Sequence, residues 1–526
     1  MKAWPRFAAP MTSALPASDS DRAAHAVGGD DPLPPGHPRR LWCVGFALIF
    51  LLLATWSLAT PKYAAPDEPV HAIRAASLVR GELLGQDVSR AGDPSVRVSV
   101  PATLAAYDPH CFIFRPWVTA SCMPNWVGHP GMVRVNTYTG RYPPLYYLAA
   151  GLPSLLTTGG AMLLWMRLAQ DLVNAVFLTA AFVLLARARR SSWALVGGFA
   201  AMTPLVLFLG SVINPSGLEI CSAIACWSAL LAAVGSGPGV LARSTVVWAA
   251  VSALVFESTR GLSPVYLLAT VAAVGLVTGR SRVRELTRRR DVRTAAGFVA
   301  AGGALSVGWV VIAGALRLSR TTPITPSVST LHILHLSLLS NSRFAQFVGE
   351  FGWLDTPSPW WVVGLWWAAA AVLLAGMIAN RAWRGLLIVA VLVFATVLIP
   401  TLGDLVQART IGLVSQARYI LPLSVGVPLI AGMSIGHRDR WARFVPHLLM
   451  AFLALGQLGA FVRTLRRYET GLGGALSPSA PWSPPLGSAA LTAIFVLAGV
   501  GLQIWLWQLV RARRTPTPIP AVIGHG

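Results

Sequence analysis

Apolar runs of roughly span length recur along the chain, separated by short polar breaks. They fall at 41–60, 162–186, 192–211, 216–234, 240–257, 261–279, 294–316, 360–379, 385–402, 417–435, 444–463 and 488–510. A helix needs about 20 apolar residues to cross a bilayer. The pattern therefore predicts an all-α polytopic membrane protein with about twelve transmembrane helices. A further run, 143–157, opens on Pro143-Pro144 and carries Tyr146-Tyr147, which suits a helix lying in the interface. Were it a span, Arg187, Arg189 and Arg190 would lie outside and every later loop would invert. Left in the interface, it puts the basic stretches 187–190, 280–293, 381–384, 438–443 and 511–514 on the cytoplasmic side, as the positive-inside rule requires.

This topology divides the chain. Residues 1–40 form a disordered cytoplasmic tail, and 41–60 an uncleaved first span. Residues 61–161 make a long external loop with amphipathic juxtamembrane helices, and 162–316 hold spans two to seven. A second large external loop covers 317–359, spans eight to twelve lie in 360–510, and 511–526 is a second cytoplasmic tail. The expected location is the plasma membrane, with both termini inside.

Composition narrows the function. The chain is 55% hydrophobic and 12% charged, against about 25% charged in soluble proteins, which excludes a soluble enzyme or a disordered scaffold. A net charge of +22 would suit a nucleic-acid binder, but the densest basic cluster, 280–293, faces the cytoplasm and anionic headgroups. It reads as an orientation signal, and no nucleic-acid partner is expected. There is no Gly-rich phosphate loop and no cytosolic domain of useful size, so a nucleotide cofactor or an ATP-driven pump is not expected.

The chemistry is sought in the external loops, since long ordered loops are usually functional. The first opens with Pro66-Asp67-Glu68-Pro69, two adjacent carboxylates just past the membrane. The plain reading is an N-cap with an acidic first turn. The chemical reading is a general base or a metal ligand at the membrane surface. Val70, Ile73, Leu78, Leu83 and Leu84 follow at roughly helical spacing, with His71, Arg74 and Glu82 at polar positions, which predicts an amphipathic helix along the outer leaflet. Cys111 and Cys122 share this loop, where the external side permits a disulfide; two free thiols are the alternative. The loop closes on Arg141-Tyr142-Pro143-Pro144-Leu145-Tyr146-Tyr147.

Several segments together resemble the GT-C glycosyltransferases, and most closely the bacterial membrane proteins of domain-of-unknown-function family 2142. They are Pro66 to His71, Arg141 to Tyr147, Asn214-Pro215-Ser216-Gly217-Leu218, Thr259-Arg260-Gly261-Leu262-Ser263-Pro264 and Gln416-Ala417-Arg418-Tyr419-Ile420-Leu421-Pro422. The resemblance implies a GT-C-like helical bundle, a polyprenyl-phosphate-linked sugar as donor, and inverting transfer on the external face to a glycan, lipid or protein acceptor. It also implies an acidic first-loop residue as base or metal ligand. That role is carried to Asp67, with Glu68 as partner or substitute and a divalent cation, Mg or Mn, as the candidate cofactor. Phosphate as leaving group calls for cations, and Arg matches its oxygens bidentately. The binding candidates are His71, Arg74, Arg141, Tyr142, Tyr146, Asn214, Glu257, Arg260, Gln416, Arg418 and Tyr419, with Trp353 as a further aromatic.

Other polar residues admit structural readings. Arg167 and Asp171 are spaced for an i, i+4 pair, and Glu257 and Arg260 could pair across a turn. His332 and His335 lack a third metal ligand. Arg463, Arg466 and Arg467 lie outside against the charge rule, where lipid phosphate or an anionic polymer would suit them. The competing functions are a flippase or transporter of lipid-linked saccharides, and a surface-polysaccharide polymerase or ligase. The absence of an obvious internal repeat, together with polar candidates gathered at the external ends, favours an enzyme over a transporter.

Overall fold

The computed structural model describes residues 37–89, 94–188, 191–237, 239–315, 329–339, 341–411, 413, 415–436, 444–474 and 480–512. The tails expected before 37 and after 512, the basic stretch at 438–443, Arg189 and Arg190, and 316–328 of the second loop lie outside these residues.

Helix α1 (His37–Ala59) leads into the first loop. There α2 (Glu68–Leu78), strands β1 (Gln86–Asp87), β2 (Val96–Pro101) and β3 (Met132–Thr137), and α3 (Pro144–Gly151) follow in order. The bundle continues with α4 (Met162–Ala186), α5 (Ser191–Ala201), α6 (Pro204–Gly210), α7 (Pro215–Gly235), α8 (Arg243–Glu257), α9 (Ser263–Val277), α10 (Arg280–Arg288) and α11 (Arg290–Ile312). The second loop holds α12 (Thr330–Leu339), α13 (Asn341–Gln346) and the hairpin β4 (Glu350–Phe351) and β5 (Thr356–Pro357). Helices α14 (Trp360–Ala379), α15 (Trp383–Ile411), α16 (Leu421–Ser424), α17 (Gly426–Ser434), α18 (Val445–Thr470) and α19 (Ser488–Ala512) complete the chain.

All twelve apolar runs are helical. Among the described residues, eight helices are long and apolar enough to cross a membrane, and α5 with α6 makes a ninth candidate bent by 61°. The runs at 240–257, 261–279 and 417–435 form shorter helices. At 1.5 Å per residue, a 15-residue helix such as α8 reaches about 22 Å, short of the roughly 30 Å hydrocarbon core. The 143–157 run gives α3 and one further turn, too short to span. Helix α7 is central, with 83% of its apolar window buried, while α11 is peripheral at 11%. Helices α5 and α17 meet through small residues, as membrane bundles prefer: a Cβ on Gly197 would stand 2.4 Å from the Pro428 carbonyl, and one on Gly432 would stand 2.3 Å from that of Trp193.

The fold is mostly helical, with two small sheets in the loops, and one expectation about the loops needs correction. The first loop holds an antiparallel sheet in the order β1-β2-β3, built on the alternation of buried Val96, Val98 and Val100 with exposed Arg97. Helix α2 is not a surface helix with a wet polar face: Glu68, His71, Arg74 and Ser77 are all buried. It packs between α3 and β2, and its polar groups are satisfied inside the protein.

Candidate active site

The turn from α1 into α2 sets the site. Asp67 occupies the N-cap position but makes no capping hydrogen bond, and its backbone is left-handed at φ 61°. A non-glycine residue is uncommon there. The conformation turns the carboxylate away from the helix. Its Oδ1 accepts the Tyr138 hydroxyl at 2.7 Å, and its Oδ2 takes the Arg418 guanidinium at 2.5 Å. The Asp67 side chain stays 27% exposed, so a reactant can reach it. Burial pushes its carboxyl up, but Arg418, His71 and the hydrogen bonds from Tyr138 and Arg418 outweigh burial and hold it below the ordinary carboxylate value.

Arg418 also donates to the Tyr419 hydroxyl at 3.1 Å and toward the Pro66 carbonyl at 3.5 Å. Its guanidinium and that of Arg260 lie 5.0 and 4.8 Å from the Tyr419 ring centroid. Arg260 donates to the Ser216 hydroxyl at 2.7 Å and faces Glu219 at 3.8 Å. Glu219 in turn accepts from Ser263 at 2.6 Å. Asp67, Arg260 and Arg418 thus form one cluster although 351 positions separate the first from the last. Tyr142 leans over His71, ring centroids 6.0 Å apart. His71 itself is buried and shares a 2.8 Å hydrogen bond with the Tyr147 hydroxyl. Burial, with Arg418 and Arg260 nearby, lowers its imidazole to about 3 against the pull of Asp67; it is neutral at physiological pH.

Other candidates hold the structure instead. Glu68 is no second acid of the site: it is fully buried and clamped bidentately by Arg167 at 2.7 and 2.6 Å, with the Ile213 amide on the same carboxylate at 3.1 Å. Arg167 therefore does not pair with Asp171, which accepts from Ser57 at 2.7 Å. Arg74 is buried and donates to the carbonyls of Glu82 and Leu83 at 3.2 and 2.8 Å; burial lowers its guanidinium to about 10. Arg141 bridges Asp87 at 2.7 Å and the Ala313 carbonyl at 3.1 Å. Tyr146 is buried against Tyr147. Glu257 is not paired with Arg260, because its carboxylate lies against the two glycines Gly302 and Gly303 of α11. Asn214 caps α7 and donates to the Pro66 carbonyl at 3.0 Å, fixing the residue before Asp67.

The two large loops are tied together beside the cluster. Cys111 and Cys122 are joined as a disulfide. Arg467 does not face lipid phosphate: it is fully buried and donates to the carbonyls of Phe112, Arg115 and Val118 and to Asp355. Arg463 and Arg466 donate to the carbonyls of Leu472 and Gly474. Trp353 donates to the Tyr63 carbonyl at 3.0 Å and packs edge-on with Phe114, ring centroids 6.0 Å apart.

Among the described residues no three His, Cys, Asp or Glu stand close enough to hold a metal ion. Arg418 already neutralises Asp67, so among the described residues the donor set does not fit a resident divalent cation. Sequence reasoning missed Tyr138, which carries no periodicity or motif of its own, and gave Ser216 no role although it lies inside the Asn-Pro-Ser-Gly-Leu segment.

Known proteins offer two points of comparison. A family model described as "Predicted membrane protein (DUF2142)" matches residues 50–427. No curated protein matches the chain. Among solved structures, one described as "Crystal Structure of ArnT from Cupriavidus metallidurans bound to Undecaprenyl phosphate" is similar at 14% identity and a TM-score of 0.41, over 90% of this chain and 78% of that one.

Proposed function

The chain belongs to the DUF2142 family of predicted membrane proteins, and from that premise we propose that it is a glycosyltransferase of the external face of the plasma membrane. It moves a sugar from a polyprenyl-phosphate donor to a cell-envelope acceptor, with inversion. The observation that carries this reading is Asp67, in a left-handed backbone, partly exposed and paired with Arg418, which shares the Tyr419 ring with Arg260. A carboxylate with two cations at the rim of an apolar bundle matches what transfer from a lipid phosphate needs.

In the proposed step the donor phosphate binds Arg418 and Arg260, which releases Asp67 from its ion pair. The acceptor hydroxyl attacks the anomeric carbon from the face opposite the phosphate. A carbon–oxygen bond to the acceptor forms as the bond to phosphate oxygen breaks. The hydroxyl proton passes to Asp67, and the electron pair leaves on polyprenyl phosphate. Tyr138 positions Asp67, and no step is routed through a metal. A shallow apolar groove lined by Leu338, Phe344, Phe347, Val397 and Ile420 is the place we assign to the start of the polyprenyl chain.

A transporter would draw on a broken span whose freed backbone groups hold the cargo. The bend between α5 and α6 is such a break, but Gln457 donates to the Met202 carbonyl there at 2.6 Å. The test is binding of sugar-free polyprenyl phosphate to protein in lipid discs. Arg260→Gln should weaken it about tenfold, the loss expected for one charge-assisted contact, while Arg260→Lys retains part of it. Equal binding by wild type and Arg260→Gln would contradict the phosphate assignment.

A further inference from the structure

The sheet of the first loop ends in an open edge. The strand order β1-β2-β3 puts β3 outermost, and its register with β2 runs unbroken from Val96↔Thr137 to Pro101↔Met132. Opposed residues of an antiparallel pair alternate between exchanging hydrogen bonds and turning their backbone groups away from each other. Ser99 gives its amide to the Glu82 carboxylate at 2.9 Å, and the Ser95 carbonyl accepts from the Val88 amide at 3.4 Å, so the odd-numbered positions of β2 face β1. Ala102 donates to the Gly131 carbonyl at 3.0 Å, so the even-numbered positions face β3. Val96, Val98 and Val100 therefore bond to Thr137, Val135 and Val133, while Met132, Arg134 and Asn136 turn their N–H and C=O groups to the open side. Among the described residues nothing bonds to those outward groups.

A row of free backbone groups is a template for another strand, and native proteins usually blunt such an edge with charge, proline, a bulge or a cover. Strand β3 has one charge, Arg134, with no proline and no bulge, and Met132, Val133, Arg134 and Asn136 are all exposed. The strand also runs straight into the site. Thr137 is buried with its hydroxyl on the Val70 carbonyl at 3.2 Å, and the next residue, Tyr138, donates to Asp67 Oδ1 at 2.7 Å. The outer face of the sheet is basic. Arg97 and Arg134 are exposed, β2 and β3 carry no acid, and Asp87 of β1 is held by Arg141.

We propose that the open edge of β3 docks an extended polypeptide by strand addition and that this polypeptide is the acceptor, its serine or threonine hydroxyl delivered past Asn136 to Asp67. An edge of alternating N–H and C=O groups recognises peptide backbone, not a sugar or a lipid tail, and the two arginines favour acidic side chains on it. From Met132 to Asn136 the edge measures about 14 Å at the usual strand rise, the length of a short peptide segment. That the peptide is an acceptor rests on the glycosyltransferase reading; that it docks does not. In the transfer its hydroxyl oxygen bonds to the anomeric carbon, the hydroxyl proton passes to Asp67, and polyprenyl phosphate leaves with the electron pair.

The experiment uses the full chain in lipid discs with a synthetic peptide of alternating Thr and Val closed by Glu at each end. The control is the same peptide N-methylated throughout, which has no backbone donors. Hydrogen exchange over 132–137 should be fast at the outward amides of the free protein and slow once the first peptide is added, with no change for the second. Arg134→Pro loses an N–H that faces the open side, so it should fold as wild type yet weaken peptide binding about tenfold or more. Arg134→Gln should retain part of the binding, and Asp67→Asn all of it. Outward amides already slow in the free protein, equal binding of the N-methylated peptide, or unchanged binding in Arg134→Pro overturns the docking edge. With a radiolabelled polyprenyl-phosphate sugar present, a peptide bound at the edge while no acceptor of any kind receives sugar retains the edge and loses the transferase reading. Transfer to crude envelope acceptors with the bound peptide left unglycosylated overturns its role as acceptor.

Discussion

At the scale of single residues, two adjacent carboxylates have separate fates. Asp67 and Glu68 are indistinguishable as letters, and a sequence offers no reason to prefer one. One backbone dihedral separates them: the left-handed turn at Asp67 points its carboxylate outward, while Glu68 begins the helix and points into Arg167. Removing one partner of a buried ion pair costs about 3–5 kcal/mol. Glu68→Ala should therefore lower the melting temperature sharply or prevent folding, while Asp67→Asn, at a partly exposed site where the amide oxygen still accepts from Arg418, should lose much less. A circular-dichroism melt in detergent distinguishes them, and a folded, stable Glu68→Ala would contradict the assignment. His71 carries a pH prediction. Its folded value is about 3 and its unfolded value about 6.5, so between these the unfolded chain binds the proton that the folded protein refuses. Stability falls as pH drops from about 6.5 toward 3. Melts across that window should show a smaller decline in His71→Asn, which has no imidazole to titrate; an identical decline would assign the effect elsewhere.

At the scale of elements, apolar periodicity made the helices legible, and the 143–157 run forms a helix too short to span. The loops were legible only in part. The Val-Arg-Val-Ser-Val alternation of β2 was present to be read, but the pairing of its strands joins segments some 40 positions apart. The role of Arg467 could not be read at all, since its partners lie about 350 and 112 positions away. That one side chain ties the disulfide loop and the β4–β5 hairpin to the end of α18. Arg467→Leu should loosen both loops together, read as faster hydrogen exchange over 111–122 and 350–357 with the bundle unchanged. Faster exchange in one loop alone would contradict a shared tie.

At the scale of the whole molecule, the charge pattern predicts an orientation with the basic stretches inside and the two large loops outside. With Cys43 replaced by Ser, a membrane-impermeant maleimide should label Met132→Cys from outside intact cells and Arg284→Cys only after the cytoplasmic face is exposed. Both positions are exposed in the fold, and the opposite pattern would invert the topology. The cluster joins residues from the first loop, from the turns before α7 and α9, and from the segment before α16. Their proximity was expected from the shared external placement that the charge pattern predicts, while the tyrosines and carbonyls that fix them emerge only once the bundle closes. The most direct test of the account is sugar transfer by purified protein in lipid, from radiolabelled polyprenyl-phosphate sugars to crude envelope acceptors. Wild type should transfer, and Asp67→Asn, equally folded, should lose about 10²–10⁴-fold in rate, the contribution of a general base. Transfer at the wild-type rate by Asp67→Asn, or lipid-linked saccharide crossing the bilayer with no sugar transferred, would contradict it.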